Sequence, residues 1–519
     1  MRTNLLPVRH RPERVRPCSR LTVLCTALVV LAVASCGGNK ASDVVIPHDA
    51  EVTPPTPDAA DSRVSPETTP REVTDTADGA DLAPDIQESD EGDALERQAD
   101  TFHDLPEVDP EVPSTDFTLG ASHPLENADR AVIFPTTVVA GTDGSLVCAG
   151  GKDFDFQATL PLCFGKHDGQ QKLLPVDTTA LDDVINESTL TESPFLSITQ
   201  DSRHLTVLTT NGMLSSFIFA DYTPETMTVM PTFSTSLLEL TGTTSPLDWF
   251  PAAATSLPDA SAFFLYKHNN TTNPQQDTLF SVTRSTTTLA VSSISQIPSC
   301  YTIPHLTILA NATLVVACSQ APQFTNWLVF GVDEKEGVLT LQATHEENFG
   351  SQWMPESLMG PSTAPGPAGG LLLFAGASAL GTTLGVARID PTQTPPVQPA
   401  GPNDWLPQFA PGAVTLASSP AHSMAALLLH LATPPGLAII RFAEDQQTLE
   451  HVQFVEAGGL VPEGTDVCCD CDGTGRNLAF ADEGKSLYLA CSTTKTTSGS
   501  DSIEFAGALF ELNAAGLSN

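Results

Sequence analysis

One pattern recurs along most of the chain and limits what it can fold into: a short apolar strand, a tight polar turn, then a second apolar strand. The turns and second strands read GTDGSLVCA from Gly141, TQDSRHLTVL from Thr199, LPDASAFFLY from Leu257 and LANATLVVAC from Leu309. Three more read PGPAGGLLLF from Pro365, SPAHSMAALLL from Ser419 and ADEGKSLYLA from Ala481. Aligned on the strand after the turn, they place Leu146, Leu205, Phe263, Leu314, Leu371, Ala425 and Leu487 at spacings of 59, 58, 51, 57, 54 and 62. Most units carry a second hairpin, such as FIFADYTPETMTV, LFSVTRSTTTLAV, LVFGVDEKEGVLTL, GVARIDPTQTPPV and IIRFAEDQQTLEHV. Each of these is an apolar strand, a polar turn and an alternating strand.

Two hairpins make a four-stranded antiparallel unit. Alone, such a sheet exposes two edges and cannot bury its faces. Packing seven units around an axis solves both problems. The fold class expected is therefore all-β, a seven-bladed β-propeller; six blades, eight blades or a pair of β-sandwiches would use the same hairpins. Long stretches with helical period are absent. The last unit reaches only its third strand at GALFELN, Gly507 to Asn513. AVIF, Ala131 to Phe134, lies just before the first inner strand and is expected to supply the missing outer strand of blade seven.

The hairpin EGKSLYL, Glu483 to Leu489, resembles the D-G-K-x-L-Y-V hairpin of the YVTN and WD-repeat-like bacterial propellers. The resemblance covers about residues 130–519. It implies the propeller fold and, through the lactonase-like members of that group, hydrolysis of cyclic esters by acidic and metal-binding residues at the channel mouth as one reading of function.

Three segments are expected: 1–35, 36–118 and 119–519. Residues 1–20 hold six arginines and one glutamate, and LTVLCTALVVLAVAS, Leu21 to Ser35, is an apolar run short for a membrane span. It ends in VASC, which resembles a bacterial lipobox. That resemblance implies a signal peptide over 1–35 and acylation of the Cys36 thiol, an anchor in the membrane of the cell envelope whose strength grows by roughly 0.8 kcal/mol per buried methylene. Gly37, rather than aspartate, follows the cysteine and points to the outer membrane of a host that has one. Between Gly37 and Thr118 there are 22 acids against Lys40, Arg63, Arg71 and Arg97, with many prolines and no apolar period. Such a stretch cannot offset its ordering entropy and reads as a disordered acidic tether.

An exported chain matures where thiols oxidise. Beyond Cys36 the candidates for disulfides are Cys148, Cys163, Cys300, Cys318, Cys468, Cys469, Cys471 and Cys491. Cys318 and Cys491 both stand four residues past the aligned position. Cys300 and the 468–471 cluster both precede the inner strand of the same blades. In a four-stranded blade those places share a rim, so Cys300–Cys318, one cluster cysteine with Cys491, and Cys148–Cys163 are the expected bridges. The stretch TDVCCDCDGTGRN, Thr465 to Asn477, also offers metal ligands. Zinc lacks a second ligand pair. Calcium on Asp466, Asp470 and Asp472 fits the alternation of carboxylates before a glycine turn, although the twelve-residue hand pattern fails at Cys468 and Ala479.

Other chemistry is sparse. No G-x-S-x-G is present, DEGKS lacks the first glycine of a phosphate loop, and the twelve histidines are scattered, with His204 and His422 in hairpin turns. Past residue 118 the 13 Lys and Arg face 39 acids, which opposes nucleic-acid binding and suits cations or basic partners. Two function classes remain: a tethered binding or scaffold module for a protein or small molecule, without a cofactor, and a lactonase-like hydrolase holding calcium.

Overall fold

A computed structural model describes residues 116–514 apart from internal stretches, the longest being 185–191, 241–251, 268–275, 349–361, 407–413, 470–475 and 497–502. Cys36 and the rest of residues 1–115 lie outside the described residues. Seven antiparallel sheets follow one another in a seven-bladed β-propeller. Blade one comprises Phe134–Ala140, Leu146–Lys152, Ala158–Lys166 and Leu173–Pro175, from the axis outward. The inner strands of blades two to six are Glu192–Ile198, Ala252–Ser256, His305–Leu309, Ser362–Pro365 and Val414–Ser419. The seven aligned sequence positions all fall within the first two residues of a second strand and all are buried.

The recurrence has a backbone cause. Each inner turn places one residue in the left-handed region: Gly144, Ser202, Ala260, Ala312, Gly370, Ser423 and Gly484. Three are glycine, which adopts this conformation freely; the other four carry the steric cost of a Cβ there. Aspartates fix several turns. Asp143, Asp201 and Asp259 accept the amides of Ser145, Arg203 and Ser261 at 2.9, 3.0 and 2.9 Å, the side chain standing in for a backbone turn.

Burial explains why the sheets need each other. The core divides into clusters that each span two neighbouring blades. Leu314, Val316, Phe330 and Phe264 meet between blades three and four; Val147, Leu162, Tyr488 and Leu509 meet between blades one and seven. Each fully buried Leu or Phe contributes about 1.5–3 kcal/mol that an isolated blade would forgo. Hydroxyls near the axis stitch the inner strands across the seams. Ser197 and Ser256 are 2.8 Å apart, Thr307 and Thr363 2.6 Å, and Ser362 Oγ accepts the Leu416 amide at 3.1 Å.

The expected closure is corrected in its residues. The outer strand of blade seven is Phe117–Pro124, paired antiparallel with the third strand Ile503–Ala514, so that Phe117 faces Ala514 and Pro124 faces Ala508. Ala131 makes only an isolated bridge to Glu126, and Phe134 begins the inner strand of blade one. The apolar AVIF segment fills the seam instead: Val132 is fully buried between blades one and seven. Gln453 of blade six clamps the start of the closing strand, accepting the Phe117 amide at 2.7 Å and donating to its carbonyl at 2.9 Å.

Three disulfides join the expected places: Cys148–Cys163, Cys300–Cys318 and Cys469–Cys491, with Cα separations of 4.1, 5.2 and 4.1 Å. Cys469 is therefore the cluster cysteine that pairs with Cys491, while Cys468 is disulfide-bonded as well. Cys471 lies outside the described residues. Closing loops of 15 to 22 residues corresponds to about 3 kcal/mol each in the loop-entropy account.

Candidate functional site

All seven inner strands line an axial channel with a cavity of about 460 Å³; the end where those strands begin is here called its mouth. A second cavity of about 510 Å³ adjoins it toward the opposite face, where the inner turns lie, lined by Gln200, Ala310, Ala312, Glu334 and Pro420. The first is the more chemically specific. Its wall alternates hydroxyls, such as Thr137, Ser197, Thr307 and Thr415, with apolar side chains, such as Leu196, Ile308 and Leu416. This follows from the two-residue period of a strand: Leu196 and Leu416 turn into the core of the seams, and the hydroxyls take the alternate positions.

Two titratable groups line that wall among the described residues, Arg476 and His305. Arg476 stands just before the inner strand Leu478–Ala481 of blade seven. Its carbonyl accepts the Val138 amide at 2.7 Å, and it bridges Thr137 in parallel register, so the seam between blades seven and one holds its backbone. Its guanidinium lies over the Phe195 ring, 4.8 Å from the centroid, a geometry in which the ring face attracts the cation. No carboxylate pairs with it among the described residues. Burial alone lowers its pKa, to about 10, so it stays charged at neutral pH. His305 begins the inner strand of blade four. Burial first, and the Arg476 charge second, push its imidazole down to about 3, so it is neutral. Protein surrounds both side chains, yet each keeps some surface toward the channel.

Thr137 completes the group. It is 4% exposed, and its hydroxyl makes no hydrogen bond among the described residues. Neighbouring Asn477 is fully buried and donates to the Pro135 carbonyl at 3.0 Å. The site can thus hold negative charge against a guanidinium in a partly dry, hydroxyl-lined cavity.

At the rim of the same seam, four phenylalanines gather. Phe134 stacks on Phe156 with centroids 4.6 Å apart, and Phe505 lies 6.3 Å from Phe134 and 5.9 Å from Phe154. Phe154 and Phe156 are 63% and 64% exposed. Their loop is held open by Asp153, which accepts the amides of Asp155 and Gln157 at 2.9 Å, and Phe156 sits at a φ of 58°.

Of the residues expected to bind metal, Asp466 is exposed on the strand Thr465–Cys468, opposite Thr494. Asp470 and Asp472 lie outside the described residues. No group of three or more His, Cys, Asp or Glu is placed to hold a metal ion among the described residues. His204 pairs with Asp221 across a hairpin at 2.6 Å, on the outer side of the inner turn.

No protein-family model and no curated protein matches the chain. Solved structures do. A periplasmic gluconolactonase of Pseudomonas aeruginosa is 14% identical over 63% of this chain and 86% of its own, with a TM-score of 0.45. A putative 6-phosphogluconolactonase of Bacteroides fragilis is 13% identical over 72% and 93%, with a TM-score of 0.40. The WD40 domain of SCAP from fission yeast is 8% identical over 77% and 91%, with a TM-score of 0.39. Both lactonase-like and WD40-like propellers are thus among the structures this chain is similar to, and no residue role is carried over from either.

Proposed function

We propose that the chain is a binding module tethered in the bacterial cell envelope. The lipobox-like VASC motif supports acylation at Cys36, Gly37 supports the outer membrane, and the acidic, proline-rich stretch that follows supports a spacer. Phe117 joins the ring opposite the end of the third strand of blade seven, at the face away from the channel mouth. The single observation that carries binding at the mouth is Arg476, a charged guanidinium enclosed in the channel beside a hydroxyl-lined cavity.

A thermal-shift screen of small molecules and lactones against the full-length protein, with each hit assayed for consumption, tests this reading. A ligand that raises the melting temperature and is recovered unchanged supports a binding module. Turnover of a lactone, together with one calcium per chain lost on Asp472→Ala, would replace it with the hydrolase reading.

A further inference from the structure

We infer that the axial cavity beside Arg476 is a binding site for a small monocarboxylate with an apolar body. The inference rests on the mouth as a binding face and names what that face recognises.

Three observations converge. First, the described lining of the cavity holds a cation and no anion. Arg476 and His305 are the only titratable groups in its described lining, in a domain where acids outnumber bases three to one. A charge withdrawn from water costs several kcal/mol unless it is paired. Phe195 offsets a small part of this, about 0.5–2 kcal/mol. Second, Thr137, a lining residue 4% exposed on the strand that bridges Arg476, has a buried hydroxyl that makes no hydrogen bond among the described residues. A buried hydroxyl without a partner costs about 1–3 kcal/mol, which a ligand oxygen would recover. Third, part of the wall's hydroxyl capacity is already used. Ser197 bonds Ser256, and Thr307 bonds Thr363. The half-buried apolar side chains on the wall include Phe195, Ile198, Ile308 and Phe480.

The head group follows from guanidinium geometry. A planar fork of N–H donors matches two coplanar carboxylate oxygens. A single cation with a neutral imidazole nearby suits one negative charge better than the two of a phosphate. The cavity's volume lies in the ~300–1,000 Å³ range of small-molecule pockets.

Calorimetric titration of the full-length protein at pH 7 with benzoate, isovalerate, acetate, benzamide and inorganic phosphate tests the site. Benzoate or isovalerate should bind one per chain, at least tenfold tighter than acetate, phosphate or the neutral benzamide. Arg476→Gln should weaken that binding at least tenfold, and Thr137→Val severalfold. Arg476→Gln should also leave the ligand-free melting temperature unchanged or raised, because it removes an uncompensated charge while keeping the backbone bridge. If that variant fails to fold, benzoate against benzamide and the Thr137→Val titration still decide. Absence of carboxylate binding at millimolar concentration, equal binding of benzamide, tighter binding of phosphate, or indifference to Arg476→Gln would each overturn the proposal. Carboxylate binding that depends on Arg476, in a protein that also consumes lactones, would uphold this site while removing the non-catalytic module reading.

Discussion

The seam between blades three and four and the seam between blades seven and one are made from the same hairpins, yet they are held by different means. In the first, the chain runs directly from one blade to the next and a disulfide, Cys300–Cys318, ties the crossing. A buried carboxylate finishes it: Asp277 accepts from the Tyr266 hydroxyl and from the Cys300 amide, and burial and this bond raise the Tyr266 pKa. In the second seam the chain crosses as well, from Phe117–Pro124 of blade seven to Phe134–Ala140 of blade one, and the break in the ring lies within blade seven, between Ile503–Ala514 and Phe117–Pro124. Backbone pairing of Phe117–Pro124 closes that break, and backbone acceptors hold the seam beside it. Leu125 donates to the Gly507 carbonyl at 2.9 Å, Ser492 Oγ to that of Ile133 at 2.8 Å, and Asn477 to that of Pro135. The seam beside the break is thus held by polar contacts where the other is held by a disulfide and a buried carboxylate, and this same seam presents Arg476 and the exposed phenylalanines.

The largest effect should come from forcing that seam apart. A Cβ on Gly507 would stand 1.8 Å from the Val132 carbonyl oxygen, a backbone atom with nowhere to retreat. Gly507→Val is expected to destabilise by about 3 kcal/mol or more, at the upper end of the overpacking range, read as a lower urea midpoint; an unchanged midpoint would mean that the two ends do not meet here. Next in size, replacing Cys300 and Cys318 together by alanine should cost about 2–4 kcal/mol. The loss should fall on the three–four seam, visible as faster amide exchange in His305–Leu309 with the seven–one seam unaffected.

Most of the ring was legible because its inner turns repeat a physical requirement. Every second strand starts buried, and every turn needs a residue that tolerates positive φ. The closing strand was not legible for the opposite reason. FTLGASHP is exposed along most of its length, so it carries no apolar alternation to mark a strand, and the boundary expected at 118 falls inside it. AVIF looked like a strand because it is apolar, and it is apolar because it plugs a seam. The cysteine pairs followed from their place in the repeat, whereas the choice of Cys469 over its neighbours depends on where Thr465–Cys468 ends. Arg476 left no motif: the aspartates around it drew the eye, and one arginine after a glycine signals nothing until the topology sets it against an axial cavity. Its rarity in so acidic a domain was the one available hint.

A smaller effect concerns pH at the channel. His305 titrates near 3 in the fold against about 6.5 in the unfolded chain. Below 6.5 the unfolded chain therefore binds a proton that the native protein refuses. Stability from this group is complete above pH 6.5 and is lost as pH falls toward 3. His305→Gln should flatten the decline in urea midpoint between pH 7 and pH 4.5; an unaltered slope would place the imidazole in water. Smallest of all, Ala312→Gly should stabilise by roughly 0.5–1 kcal/mol, since Ala312 has a φ of 55° and glycine relieves that strain. No gain would mean that the turn is not left-handed.

Ring closure by residues 117–124 underlies both the seam comparison and the position of Arg476. The most direct test places cysteines at Thr118 and Asn513, which face each other in the closing pair, and maps the disulfides of the oxidised monomer by peptide mass spectrometry. An intramolecular bond between positions 118 and 513 is the expected result. A monomer in which that bond never forms, while a cysteine placed at Ile133 crosslinks to position 513, would contradict the closure and return the outer strand of blade seven to Ala131–Phe134.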